Sequence, residues 1–122
     1  MSPKMTNETD YILVEPQEAE YWEIIKSFGS LVKTADYPDK NVIWDFRNCL
    51  LKTTYDQLYK IKDFVKQKYP DTAKPGRKVA IVAEGGLNSA LVEEYIKIAA
   101  ELPPEFNIFS DLDSAEDWVT KK

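Results

Sequence analysis

A chain of 122 residues is one domain's worth of polypeptide, long enough to bury about two thirds of its unfolded surface. With 43% apolar and 30% charged residues and a net charge of −5, it reads as a soluble globular protein that does not bind nucleic acid broadly. Histidine is absent and cysteine occurs once, at Cys49. This composition excludes Ser-His-Asp and Cys-His nucleophiles, an internal disulfide and a Cys/His zinc site, and fits a reducing cytoplasm. We expect no enzyme, no cofactor and no metal.

The first residues, MSPKMTNETD, are polar and contain no apolar core segment, so they are not expected to act as a secretory signal. Residues 1 to 9 are expected to form a disordered tail before a domain over 10–122. YILVEP (11–16) reads as a short strand closed by Pro16. From Glu18 to Val32, the residues Tyr21, Trp22, Ile24, Ile25, Phe28, Leu31 and Val32 recur at three and four, which predicts an amphipathic helix. Residues 21 to 25, YWEII, also fit the second strand of a hairpin. TADYPDKN is a turn cluster, and NVIWDF (41–46) predicts a buried strand. A second helix is expected from Thr54 to Tyr69, with Leu58, Ile61, Val65 and Tyr69 on one face and Pro70 as its stop. DTAKPGR is a loop. KVAIVAE (78–84) is apolar on both faces, as in a central strand covered on both sides. After GGLN a third helix is expected from Ser89 to Leu102, ended by Pro103 and Pro104. EFNIFSD (105–111) is a short strand, and Asp113 with Glu116 resembles a capping-box pair opening a last helix that carries Trp118 and Val119.

The order is βαβαβαβα. It predicts a single α/β domain with an open sheet of four to five strands and about four helices, parallel in its later part, with right-handed crossovers. No apolar run approaches the ~18 to 20 residues of a transmembrane segment.

Three places invite a chemical reading. Asp45, with Arg47 close behind it, stands at the carboxyl end of a strand, where α/β proteins commonly bind ligands. A phospho-accepting receiver domain would need an acidic pair after the first strand and a lysine after a late one. The chain offers Glu15, then Ser110 and Asp111, so Asp45 is expected to cap loop N–H groups or pair with Arg47 or a lysine. Thr54 with Gln57 fits a capping box, Thr53 with Asp56 an alternative register, and a hydroxyl there could also be phosphorylated. In EGGLNS (84–89), Gly85 and Gly86 would let a helix N-terminus approach an anion, but the dinucleotide and P-loop spacings are missing. Cys49 reads as a small buried side chain. Residues 60–78 hold seven cations against two acids and residues 79–122 nine acids against three cations. That imbalance describes either a solvated helix face and loop or a basic patch for an anionic partner or membrane surface.

NVIWDFRNCLL, then KVAIVAEGG, then FNIFSDLDSAEDWV together resemble the STAS-like (SpoIIAA-like) domain proteins, which domain collections link to the CRAL-TRIO lipid-binding fold. The matching positions are Asp45-Phe46-Arg47, Val79 to Val82, and Phe109 with Ala115 and Trp118, and the resemblance covers about residues 11 to 119. It implies a SpoIIAA-like fold and a non-enzymatic module acting through protein–protein interaction. The CRAL-TRIO link implies, alternatively, a carrier of an apolar small molecule or lipid, with Trp22, Phe28, Phe64 and Tyr95 as candidate lining. Family members that are anti-sigma-factor antagonists carry Asp-Ser-Ser-Gly, whose first serine is phosphorylated. Aligned on Asp45, that motif falls on Thr53, Thr54, Tyr55 and Asp56. Thr54 keeps the hydroxyl, while the preceding acid and the glycine are absent. The family often pairs an extra N-terminal strand with the first, which only the polar tail or YWEII could supply here. An exposed edge strand could support a homodimer.

Overall fold

A computed structural model of the chain describes residues 4–16, 19–34, 40–47, 51–68 and 76–121. Cys49, Tyr69, Pro70, Lys74 and most of the turn cluster TADYPDKN lie outside the described residues. The elements are β1 (Lys4–Asn7), β2 (Tyr11–Glu15), β3 (Ala19–Glu20), α1 (Tyr21–Val32), β4 (Asn41–Asp45), β5 (Leu51–Lys52), α2 (Tyr55–Lys68), β6 (Lys78–Val82), α3 (Gly86–Ile98), a 3-10 turn (Ala99–Glu101), β7 (Glu105–Phe109) and α4 (Leu112–Thr120).

Five strands form one sheet in the order β1-β2-β4-β6-β7. β2, β4, β6 and β7 run parallel, while β1 pairs antiparallel with β2. A sheet that grows in one direction through right-handed crossovers must carry all its crossover helices on one face. Accordingly α1, α2 and α3 pack on the face made by Ile12, Val14, Val42, Trp44, Val79 and Ile81. The opposite face, with Tyr11, Ile43, Ala80 and Val82, packs against Ala115 and Val119 of α4. β4 and β6 are thus covered on both sides, which is why their sequences are continuously apolar rather than alternating. Among the described residues no helix is long and apolar enough to cross a membrane.

Four expectations need correction. Part of the predicted tail is β1, in register with β2 from Lys4 opposite Glu15 to Asn7 opposite Ile12. An edge strand has one partner and needs no apolar alternation; Met5 alone packs on the core. YWEII is helix, as its three-and-four spacing predicts, but the helix starts at Tyr21 rather than Glu18, because Ala19–Glu20 pairs with Leu51–Lys52. α3 begins at Gly86, three residues before Ser89, and gives way at Ala99 to the 3-10 turn. At α4 the cap is Asp111 rather than Asp113: its carboxylate accepts from Ser114 N–H at 2.7 Å and from the Ser114 hydroxyl at 3.1 Å. These two bonds, the backbone one first, hold the Asp111 carboxyl below its usual range, and Arg47 adds a smaller pull.

α4 is anchored at its far end too. Asn41 Nδ2 donates to Val119 O at 2.7 Å and Lys78 Nζ to Trp118 O at 3.0 Å, so a cation sits on the carbonyl end of the helix. In the middle, the buried Tyr11 hydroxyl donates to the Glu116 carboxylate. Burial first, and then this bond and the negative charge beside it, raise the Tyr11 phenol well above its ordinary value. A raised value favours the neutral form in the fold. The resulting stability is complete below the unfolded value of about 10 and is lost as pH climbs above it. Tyrosinate absorbance in alkali should therefore show Tyr11 as a late-titrating class that appears only with unfolding. In Tyr11→Phe that class should vanish and alkaline unfolding should lose its Tyr11-dependent steepness. A Tyr11 that ionises while the fold persists would contradict this.

Candidate functional site

Asp45 ends β4 opposite Val82, and its side chain is 2% exposed. The parity of β4 turns it to the α4 side of the sheet, away from Trp44. Arg47, two residues on, folds back over it. Its backbone N–H and Nε donate to Oδ1, each at 3.0 Å, and Nη2 donates to Oδ2 at 2.9 Å. The expected loop cap and the expected Arg47 pair are therefore the same contact, a two-pronged guanidinium–carboxylate bond. The bond to Asp45 holds the Arg47 guanidinium even more firmly protonated than usual, and the charges of Asp45, Glu84 and Glu15 add to this. Arg47 is thus a cation set among three carboxylates at the carboxyl end of the sheet. Among the described residues no group of three or more acidic, cysteine or histidine side chains could hold a metal ion. Ligand crevices of α/β sheets open where the strand order reverses. Here the parallel strands run β2-β4-β6-β7 without reversal, so Asp45 sits at a strand end without such a crevice.

Thr54 carries the reciprocal cap of α2. Gln57 N–H donates to Thr54 Oγ1 at 3.2 Å, and Thr54 N–H donates to Gln57 Oε1 at 3.0 Å. A cap of this kind stabilises a helix by about 1 kcal/mol. The register is Thr54–Gln57 and not Thr53–Asp56; the Thr53 hydroxyl donates to Thr54 O at 3.3 Å. Gly85, with φ of 88°, precedes α3 in a conformation that side-chain-bearing residues avoid, and Gly86 is the first helical residue. Both glycines are exposed. Next to them Asn88 is buried, and its Oδ1 accepts from Leu51 N–H at 3.0 Å. That bond and the β3–β5 pairing lace the starts of α1, α2 and α3 side by side at the carboxyl end of the sheet.

Among the described residues, the large apolar side chains left most open stand on this rim: Trp22 at 69%, Tyr55 at 60%, Tyr59 at 51% and Leu87 at 60% exposed. The sequence reading missed the feature. Trp22 falls in the apolar stripe of its helix by spacing, yet burial falls on Ile24, Ser27, Phe28 and Leu31, and Trp22 shares the exposed side with Lys26 and Ser30. Tyr55 and Tyr59 lie four apart, beside Asp56 and Lys60 and off the Leu58–Ile61 stripe. That spacing was the available signal.

Among the described residues, the cations of 60–78 do not form one patch. Lys60, Lys66 and Lys68 are exposed on α2. Lys62 is half-buried and ion-paired with Glu101 at 2.8 Å, which raises the lysine and lowers the carboxyl. Arg77 is buried at the other end of the sheet with Nε on Lys40 O at 2.9 Å, and Lys78 serves α4. The solvated helix face is the better description.

Between the sheet and α1–α3 lies an apolar cavity of about 90 Å³, lined by Phe28, Trp44, Ile61, Ile81, Val92 and Tyr95 among others. Of the four aromatic residues expected to line such a space, Phe28 and Tyr95 do. Phe64 stacks edge-on to Phe28 at 5.8 Å between ring centres, and Trp22 points outward.

No family model matches this chain, and no curated protein matches it. A solved structure does: an uncharacterised protein of the DUF3478 family with a SpoIIAA-like fold, from Shewanella loihica PV-4. It is 18% identical, the match covers 97% of this chain and 92% of that one, and the TM-score is 0.58. At that identity the likeness establishes the fold. The chain has a SpoIIAA-like α/β fold, with the added N-terminal strand supplied by the polar segment. The comparison shows no link to the CRAL-TRIO fold.

Proposed function

We propose that this SpoIIAA-like domain is a non-enzymatic, cytoplasmic binding module that docks a partner protein on the rim formed by the first turns of α1, α2 and α3. The observation that supports the reading is the grouping there of Trp22, Tyr55, Tyr59 and Leu87. Interface hot spots are enriched in Trp and Tyr, and a rim held by paired backbone and a buried Asn88 can present such anchors without a large ordering cost. Thr54 lies within the rim, so a phosphate on it would add charge beside Tyr55 while respecting the helix dipole.

The test is a photo-crosslinkable residue at position 59, with one at Glu93 of α3, away from the rim, as control. A partner captured from host extract at 59 and not at 93 is then purified. Its affinity should fall at least tenfold in Tyr55→Ala and in Trp22→Ala, and stay unchanged in Lys66→Ala. A partner held as tightly by the combined Trp22→Ala, Tyr55→Ala, Tyr59→Ala, Leu87→Ala variant would refute the rim.

A second reading, a carrier of an apolar small molecule, draws support from the cavity. Sites for drug-sized ligands enclose about 300–1,000 Å³, so at about 90 Å³ this cavity suits only a slender ligand, not a bulky lipid.

A further inference from the structure

We infer that the cavity is a binding site for a single unbranched alkyl chain, lying along β4 and β6 between Thr53 at the carboxyl end and Arg77 at the amino end. The inference rests on the second reading above and names its ligand. The floor of the cavity includes Val42, Trp44 and Phe46 of the β4 segment and Val79 and Ile81 of β6. From Val42 to Phe46 is about 13 Å of strand. Spread over that length, about 90 Å³ leaves room for carbon atoms in single file. A cavity that takes up benzene is larger, about 150 Å³, and gathers its volume in one place.

The chemistry of the lining agrees with the shape. Thr53 and Arg77 lie toward its two ends, and Trp44 and Tyr95 add an indole N–H and a phenol to a lining otherwise built of hydrocarbon and aromatic carbon. Such a lining gives a buried water few of the two to four polar partners it needs. Close-packed interiors rarely keep gaps much larger than a water molecule. An apolar gap whose floor follows β4 and β6, with half-exposed Thr53, Val65, Tyr95 and Phe106 in its wall, matches a methylene chain that reaches it from solvent.

The experiment titrates n-alkanols from butanol to decanol into the methyl-labelled protein and follows methyl resonances. Those of Val42, Val79 and Val92 should shift, while Ile43, Val82 and Val119 on the other face of the sheet stay still. Affinity should tighten about fourfold per added methylene, then level off when the chain fills the cavity. Val92→Ile adds one carbon to the lining and should bring the plateau at a shorter alkanol; this mild change keeps the test open if Val92→Phe, which should block binding, fails to fold. Octanoate, with one chain, should reach the same methyls, and dihexanoyl-phosphatidylcholine, with two, should not; a preference for the two-chain lipid overturns the single-file site. If benzene and cyclohexane move the same methyls as strongly as hexanol and the alkanol series is flat, the alkyl inference fails and the carrier reading stands. If no apolar probe moves these methyls, both fail.

Discussion

Trp44→Ala is expected to remove about 3–5 kcal/mol of folding stability, a large share of the ~5–15 kcal/mol that holds a domain of this size. Trp44 is 9% exposed on the central part of the sheet, and its ring stacks on Phe46 with centroids 6.0 Å apart and planes 13° from parallel. It also forms part of the floor beneath α1, α2 and α3. Truncation therefore loses the transfer energy of the indole and the stack, and it enlarges a space already about 90 Å³ in volume. Neighbours that already border a gap have less freedom to close a second one, so the cost belongs in the upper half of the range. Urea unfolding is the measurement, with a lower midpoint and an unchanged slope as the expected result. Trp44→Phe should lose much less, because a ring still faces Phe46. A loss below about 1.5 kcal/mol for the alanine variant would mean that the helices settle onto the sheet, and that the cavity is compliant rather than fixed.

Arg47→Ala should cost about 2–3 kcal/mol. Breaking a fully buried ion pair by deleting one partner costs about 3–5 kcal/mol. Here the Arg47 side chain is 32% exposed and Asp45 only 2%, so the arginine's own contribution is screened by water and the figure is lowered. What remains is the stranded carboxylate, buried at the strand end with Glu15 and Glu84 in its neighbourhood. Arg47→Lys restores a charge without the two-pronged fork and should recover only part of the loss. Asp45→Asn combined with Arg47→Ala should recover more, since an amide leaves no buried charge. The double-mutant cycle in chemical denaturation measures the coupling directly. Additive single losses would show that the pair, for all its geometry, does not hold the end of β4.

The parts of the fold written in long periodic or continuously apolar segments were legible in the sequence. KVAIVAE reads as a strand covered on both sides and NVIWDF as a buried one, and Thr54–Gln57 announces its helix by a side-chain pattern that needs no tertiary partner. The misses have a common cause, in that their determinants are not local. Lys4–Asn7 is a strand because β2 is there to pair with it; nothing in KMTN demands it. Asp113 and Glu116 offered a plausible cap, but the chain leaves β7 at Ser110, and Asp111 is the first carboxylate to meet the helix N-terminus. Ala19–Glu20 and Leu51–Lys52 are too short to carry a pattern.

The site divides in the same way. The Asp45–Arg47 contact spans two residues and was foreseeable. The rim of Trp22, Tyr55, Tyr59 and Leu87 exists only after three helices are set side by side, and an apolar stripe does not say which of its members will be left outside. Trp22 is one turn position from Ile24 and Ile25 and has the composition of a core residue. Only the angle at which α1 meets the sheet decides its exposure.

The strand order has a bearing on how the molecule is made. In the series β1-β2-β4-β6-β7, each strand lies beside the one synthesised before it, and none has to be threaded between two that are already joined. As the chain leaves the ribosome, at about 5–20 residues per second, every completed strand finds its template waiting at the free margin, and the helix just behind that template can fold down as the next strand docks. The growing sheet therefore extends at one margin only, the other being the outer edge of β1. After β7 comes α4, and its arrival closes the face that until then has had no cover.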